Sequence, residues 1–375
     1  MTVRYVRVSP IADIFAPAIR AYGNVAVVGA VTPPAEPPAD LVAVGVPVTF
    51  TDPADALRRA PGALGAAIDR AFAQSPGPTV VIGVRVADAS PDHGAALQAL
   101  TAEDVQIVTI AGTPLNGTTG AANGAIAALR KHVVDMSGDA GGDGKERIGV
   151  AMLEKGAHDA SLITGDLATE RMVYIAHKSD QDAAAAVAGT IAGYEPHISL
   201  LLKKVNITSA PFTPAEIRDL NGDETFQHGP AGKGVNWLTD PALIPGQGVY
   251  MGEGYTGDPA GKKYIDFVRT IDSISFALKA KLIRAIGDLR ISRAGLRALI
   301  AQMESVLDPL MVDEVIDDYE IVIPLLTLLD KDPNSLTTAE GEEIKTARTE
   351  RLVKVLALIH YAAAIHRLSI TLKFE

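Results

Sequence analysis

The sequence has no cysteine, so neither disulfide bonds nor thiolate metal sites can hold its fold together. Basic residues are in the minority: 34 Lys and Arg stand against 45 Asp and Glu, for a net charge of −11 and a pI near 5.2. Phosphate binding needs a concentrated basic surface, so the balance argues against nucleic acid as a main partner. No apolar run reaches the ~18 residues of a membrane span. The opening Met1-Thr-Val-Arg-Tyr-Val-Arg-Val sets charges where a signal peptide needs an apolar stretch. A protein made and folded in a cytoplasm, with no stable membrane insertion, is expected. No internal repeat is visible. What remains is an ordinary globular composition, 47% hydrophobic and 21% charged, in a chain whose 375 residues suffice for two domains with separate cores.

The first half alternates short apolar runs with alanine-rich helical stretches. Residues 24–31, 79–86, 105–110, 147–153 and 171–177 are candidate strands, and their near-continuous Val/Ile content is that of strands buried on both faces. Residues 55–74, 119–135 and 182–191 have helical spacing, with Leu57, Leu64, Ile68 and Phe72 marking one face. This alternation predicts an α/β domain on a largely parallel sheet. After about Thr208 the character changes. Residues 211–262 are rich in Gly and Pro and are expected to be irregular, followed by a short strand at 264–268. An amphipathic helix from about Thr270 carries Ile271, Ile274, Leu278, Leu282 and Ile286 and ends at Gly287. A second, 292–307, is capped by Ser292 and stopped by Pro309. Residues 319–323, 352–359 and 365–374 are strand candidates, and the polar segment 330–350 reads as a solvated loop, so this half is expected to be α+β.

Fragments that resemble chemistry fail on spacing. Gly257-Asp-Pro-Ala-Gly-Lys-Lys has three residues between its glycines where a phosphate loop needs four, and a lysine where that loop needs Ser or Thr. Gly229-Pro-Ala-Gly-Lys-Gly fails in the same way. Gly112-Thr-Pro-Leu-Asn-Gly-Thr-Thr-Gly lies between a strand and a helix but lacks Gly-x-Gly-x-x-Gly, and an Asn/Thr-capped connection explains it. His158-Asp159 with Ser161 lacks a nucleophile elbow. The eight histidines include no His-x-x-x-His pair, and His360 and His366 read as satisfied core or interface residues. The expectation is no catalytic residue, no metal site and no cofactor. In contrast, Leu368, Ile370, Leu372 and Phe374 alternate strictly with Ser369, Thr371, Lys373 and Glu375. Val3, Tyr5, Val6 and Val8 lie in a second strand-like stretch. Such strands can pair within their own chain or add to a neighbouring subunit's sheet. Head-to-tail contacts of the second kind do not close and generate helical filaments.

Two stretches resemble the contractile tail sheath family of phages and phage-like injection systems. One is Gly234-Val-Asn-Trp-Leu, then Ile244-Pro-Gly-Gln-Gly-Val-Tyr-Met-Gly-Glu-Gly-Tyr-Thr, then Lys263-Tyr-Ile-Asp-Phe-Val-Arg-Thr-Ile-Asp-Ser-Ile. It is similar to the family's Asn turn, Pro-Gly-x-Gly loop, Gly-x-x-Thr step and strand ending in Arg before a helix. The other is Val46-Pro-Val-Thr-Phe-Thr-Asp-Pro-Ala-Asp-Ala-Leu with Leu64-Gly-Ala-Ala-Ile-Asp-Arg-Ala-Phe and Thr79-Val-Val-Ile-Gly-Val-Arg-Val, which is similar to the sheath's outer domain. The Ala-Gly helix near 183–195 also fits. The sequence departs from the family at Met251-Gly-Glu-Gly-Tyr-Thr, where aromatic-Gly-Ala-Arg-Thr is usual, and at Arg269, single where a pair is common.

The resemblance implies a structural subunit that polymerises helically around an inner tail tube and contracts to drive the tube through a target envelope. Its partners would be copies of itself, the tube protein, and baseplate and terminator proteins, in a virion tail or injection particle assembled in the producing cell's cytoplasm. It implies an N-terminal arm (1–20), an outer α/β domain (21–208), an inner, tube-facing α+β domain (209–364) and a C-terminal strand arm (365–375). The arms would exchange strands with neighbours through the eight apolar residues of the two terminal stretches. Lys279, Lys281 and Arg284 on the first helix, or Arg293 and Arg297 on the second, are candidates for gripping an acidic tube surface, against the plain alternative of a solvated helix face. The functional alternative that the residues leave open is a small-molecule-binding or catalytic α/β protein of Rossmann-like type.

Overall fold

The computed structural model describes residues 22–87, 91–138, 144–222, 232–244, 248–367 and 373. Val3, Tyr5, Val6 and Val8, and Leu368, Ile370, Leu372 and Phe374, lie outside them. The chain divides into a larger unit, Ala21–Ser273 joined by the chain from Ala363, and a smaller one containing Ile274–Ala362.

The larger unit is built on nine strands: β1 (Val25–Ala30), β2 (Pro47–Phe50), β3 (Val81–Val86), β4 (Ile107–Leu115), β5 (Ile148–Leu153), β6 (Met172–Ala176), β7 (Lys204–Val205), β8 (Val235–Thr239) and β9 (Val249–Met251). They lie in the order β2-β3-β1-β4-β5-β6-β8-β9-β7. The run from β3 through β8 is parallel, whereas β2 and β9 pair antiparallel. Among its described residues lie the helices α1 (Pro53–Arg59), α2 (Ala63–Phe72), α3 (His93–Ala99), α4 (Ala125–Ser137), α5 (Ala183–Gly193) and α6 (Pro214–Asn221). Alternate residues of β1 serve opposite cores, as the two-residue period of a strand requires. Val25 and Val27 join Leu64, Ile68 and the alanines of α5 on one side, and Ala26 and Val28 join Leu97, Ile126 and Leu129 on the other.

Helix α5 is nearly all alanine and buried along almost its whole length. Asp182 caps it, accepting from the amide of Ala185 at 2.9 Å. Small residues let it approach α2 backbone to backbone: a Cβ on Gly189 would stand 2.3 Å from the carbonyl oxygen of Ala71. Arg147, fully buried before β5, offers its guanidinium to the carbonyls of Leu100 at 3.2 Å and Glu103 at 3.2 Å and lies 3.0 Å from His132 Nε2. Burial and that adjacent cation hold His132 neutral, pushing its pKa down to about 4.

Local chemistry overrides the sequence pattern in several places. The single helix expected over 55–74 is broken into α1 and α2 at Pro61 and Gly62, the latter with φ +98°. The Gly/Pro-rich region 211–262 is not irregular throughout. A Thr213/Glu216 capping box starts α6, and β8 and β9 extend the large sheet. No strand forms at 264–268, because Ile265 already begins helix α7 (Ile265–Leu282). The change of character at Thr208 therefore lies inside the larger unit, and the division between units falls within α7.

The smaller unit contains α8 (Arg293–Val312), β10 (Ile316–Val322), α9 (Pro324–Asp330), α10 (Thr338–Glu350) and β11 (Leu356–Tyr361). Ser292 caps α8 as expected, accepting from the amide of Gly295 at 3.2 Å, but the helix runs past Pro309 rather than stopping there. The polar stretch 330–350 is no loop: Thr337 and Glu340 form a capping box that starts α10. Strands β10 and β11 form an antiparallel pair by themselves. Two small cores support the unit, one around Ile274, Leu307, Val315 and Ile316, the other around Leu296, Ile323, Leu325 and Ile344.

Candidate inter-subunit site

The segments that read as chemistry are local structure. In the connection from β4 to α4, Asn116 Oδ1 accepts from the amides of Thr118 and Thr119, each at 3.0 Å, and Thr119 Oγ1 donates to Pro114 at 2.7 Å. This wall, with Arg130, Thr164 and Asp166, borders a cavity of about 720 Å³. The order β3-β1-β4-β5-β6 places a topological switch between β1 and β4, where doubly wound sheets bind ligands. There the amide of Gly112 is already taken by Asp182 Oδ2 at 2.7 Å. Asp159 accepts from Ser161 at the amide, 2.9 Å, and the hydroxyl, 2.6 Å, in a turn whose His158 is exposed. Among the described residues no group of three or more metal-ligating side chains could hold an ion, and no helix is long and apolar enough to cross a membrane.

The residues between β8 and α7 instead assemble a frame at the two places where the chain passes to its terminal segments. Asn236, fully buried within β8 and so in a strand rather than a turn, accepts from the amide of Tyr255 at 2.6 Å. It also donates to the Tyr255 carbonyl at 2.8 Å. That fixes the course of the segment after β9, which carries Glu253. Glu253 is buried, yet faces two cations from the far end of the chain. His366 Nδ1 lies 3.1 Å from its Oε2, and Arg367 Nη2 donates to its Oε1 at 3.3 Å. Arg367 also donates to the Tyr255 hydroxyl at 3.3 Å, and the Tyr264 ring meets the imidazole edge-on at 5.0 Å between centroids.

Ser199 Oγ lies 2.8 Å from His366 Nε2. Serine, histidine and carboxylate thus follow one another as in a hydrolytic triad, a constellation that the sequence did not signal because its members are 167 and 113 residues apart. The Glu253 carboxylate raises the pKa of His366, favouring an imidazolium with both ring nitrogens donating. Ser199 Oγ then accepts from His366 and from the amide of Leu201, at 3.2 Å. A protonated imidazole cannot take the serine's proton. The cluster ties the segment 363–367 to the rest of the larger unit.

Arg269 does the corresponding work at the other end. It is buried in α7, and its guanidinium donates to the carbonyls of Tyr194 at 2.9 Å, Glu195 at 3.5 Å and Tyr22 at 3.3 Å. Burial lowers its pKa only to about 10, so it remains cationic at neutral pH. Tyr22 is the first described residue after the N-terminal stretch.

In the smaller unit the pair β10–β11 offers a complementary feature. Leu358 stands opposite Glu320 and Leu356 opposite Val322, and both leucines are about half exposed, at 45% and 53%. Each strand has one edge unpaired among the described residues. Of the basic candidates, Lys279 and Lys281 lie in the last turn of α7, and Arg284 lies past its end rather than on it. Arg293 and Arg297 both face Asp330, at 3.5 and 3.2 Å. All five are exposed.

No protein-family model and no curated relative matches the sequence. Solved structures do match in fold. The helical sheath of the anti-feeding prophage in its contracted state aligns over 100% of this chain and 99% of its own, with a TM-score of 0.65 at 16% identity. The contracted sheath of the extracellular contractile injection system PVC aligns over 100% and 98%, with a TM-score of 0.63 at 13% identity. A sheath tail protein from Listeria innocua aligns over 80% and 88%, with a TM-score of 0.54 at 11% identity. The chain has the sheath-protein fold from end to end.

Proposed function

We propose that this chain is the sheath subunit of a contractile tail or injection particle, and not an enzyme. The observation that carries the reading is the end-to-end agreement in fold with two injection-system sheaths, spanning 100% of this chain. Those neighbours are described as parts of helical and sheath assemblies, which supports reading this chain as an assembly protein.

The residues supply a means of assembly. A two-stranded sheet is marginal on its own, and open edges recruit strands. The pair β10–β11 is the acceptor for terminal strands of neighbouring copies. The alternation of Leu368, Ile370, Leu372 and Phe374 provides an apolar face suited to lie beside Leu356 and Leu358. Val3, Tyr5, Val6 and Val8 provide a second strand. Glu253 and Arg269 hold the roots of the two arms, so that pull on a strand reaches the larger unit. Linked head to tail, such copies form a helix that does not close. The tube contact falls among the exposed Lys279, Lys281, Arg284, Arg293 and Arg297. The particle's inner tube, baseplate and terminator are the remaining partners. Contraction draws on alternative packings of the same surfaces, with no nucleotide or cofactor.

The test is negative-stain microscopy of purified protein, full length and lacking Leu368–Glu375. Full-length protein should form tubes, and the truncated chain should fold, by circular dichroism, without forming them. A closed small oligomer from the full-length chain, or unimpaired tubes from the truncated one, contradicts the proposal.

A further inference from the structure

The clamp at Glu253 has a property that assembly alone does not require. One buried carboxylate serves two adjacent cations, His366 and Arg367, immediately before residues 368–375. A buried carboxylate left facing one cation, or none, is costly. We propose that Glu253 locks the root of the C-terminal segment onto the larger unit, and that the lock opens as His366 loses its proton. The lock concerns the subunit itself and holds whether or not residues 368–375 pair with a neighbour.

Every element around the imidazole bears on its charge. Glu253, from the segment after β9, is its ion-pair partner, and Asp266, 3% exposed at the start of α7, adds a second negative charge. Tyr264 covers it edge-on, Ser199 accepts at Nε2, and Arg367 shares its carboxylate. Lys263, over the Tyr255 ring at 5.5 Å, adds a second positive charge that Glu253 attracts. The sign follows from which state binds the proton better. Docking raises the affinity of His366 for its proton, so the contribution is complete below the ordinary histidine value of about 6.5 and disappears as pH climbs through the higher docked value. The lock is closed in mild acid and loosens in alkali.

Trypsin cuts after Arg367 only when that residue has left Glu253, so the lock can be read from one bond. The full-length chain, in its monomeric fraction, is digested across pH 6 to 9, and the release of the last eight residues is followed by intact mass. Each rate is divided by that of a free peptide of the same sequence at the same pH. The wild type should be protected at pH 6 and lose that protection at least several-fold by pH 9. Glu253→Gln should be cut rapidly at every pH, and His366→Gln should show a flat profile. Wild-type protection no greater than that of Glu253→Gln, or an unchanged pH dependence in His366→Gln, overturns the proposal. His366→Gln keeps a hydrogen-bonding side chain where the imidazole meets Glu253 and Ser199, so that variant decides the question even if Glu253→Gln fails to fold.

Discussion

The two units solve the problem of burying a sheet in opposite ways. In the larger one, β1, β5 and β6 are buried along almost their whole length, with a core on each face and helices over both. In the smaller one, β10–β11 has a single supported face, and Leu352, Leu356 and Leu358 remain exposed. The first is complete within one chain. The second leaves an apolar face open.

The contrast can be tested from the complete side first. Gly189→Val should cost more than about 4 kcal/mol and prevent the larger unit from folding, since its Cβ would meet the backbone of Ala71 at 2.3 Å. Recovery of soluble protein with a normal melting temperature would show that α5 has room to shift. Acid should weaken the same unit. His132 is held neutral when folded, with a pKa near 4, but titrates near the ordinary 6.5 when unfolded. Its contribution is intact above pH 6.5 and is lost as pH falls toward 4, on the order of 2 kcal/mol. Urea midpoints at pH 7 and 5 should differ less in a folded His132→Asn variant than in the wild type; an equal difference assigns the acid sensitivity elsewhere.

The incomplete side should respond otherwise. Replacing Leu356 and Leu358 together with threonine should change subunit stability by less than about 1 kcal/mol, because both are exposed, yet abolish tube formation. Intact tubes would mean that the face has no partner strand. The smallest effect is expected from Lys281→Glu. This exposed residue near the end of α7 should leave stability within about 0.5 kcal/mol while reducing assembly on the inner tube. Equal assembly of wild type and variant would remove Lys281 from the tube contact.

Most of the larger unit was legible because continuous Val/Ile runs leave little choice: β3, expected at 79–86, forms at Val81–Val86, and β5, expected at 147–153, at Ile148–Leu153. What escaped was decided by tertiary contacts. Strand β8 contains Asn236, a poor strand former by propensity, and exists because that amide bonds Tyr174 and Tyr255. Helix α10 looked like loop because its apolar content is slight, and only the Thr337/Glu340 box announced it. Arg269 and Glu253 stood inside the stretches that carried the resemblance. Their roles depend on Tyr22 and His366, which no local pattern connects to them.

The alanine helix α5 bears on mechanics as well as on packing. Where backbone lies against backbone, with no long side chain between, there are no rotamers to reshuffle and no slack to take up. Such a body behaves as a stiff machine part. Strain placed on the larger unit would find little give along α5, and the yielding would have to come from segments packed through longer side chains.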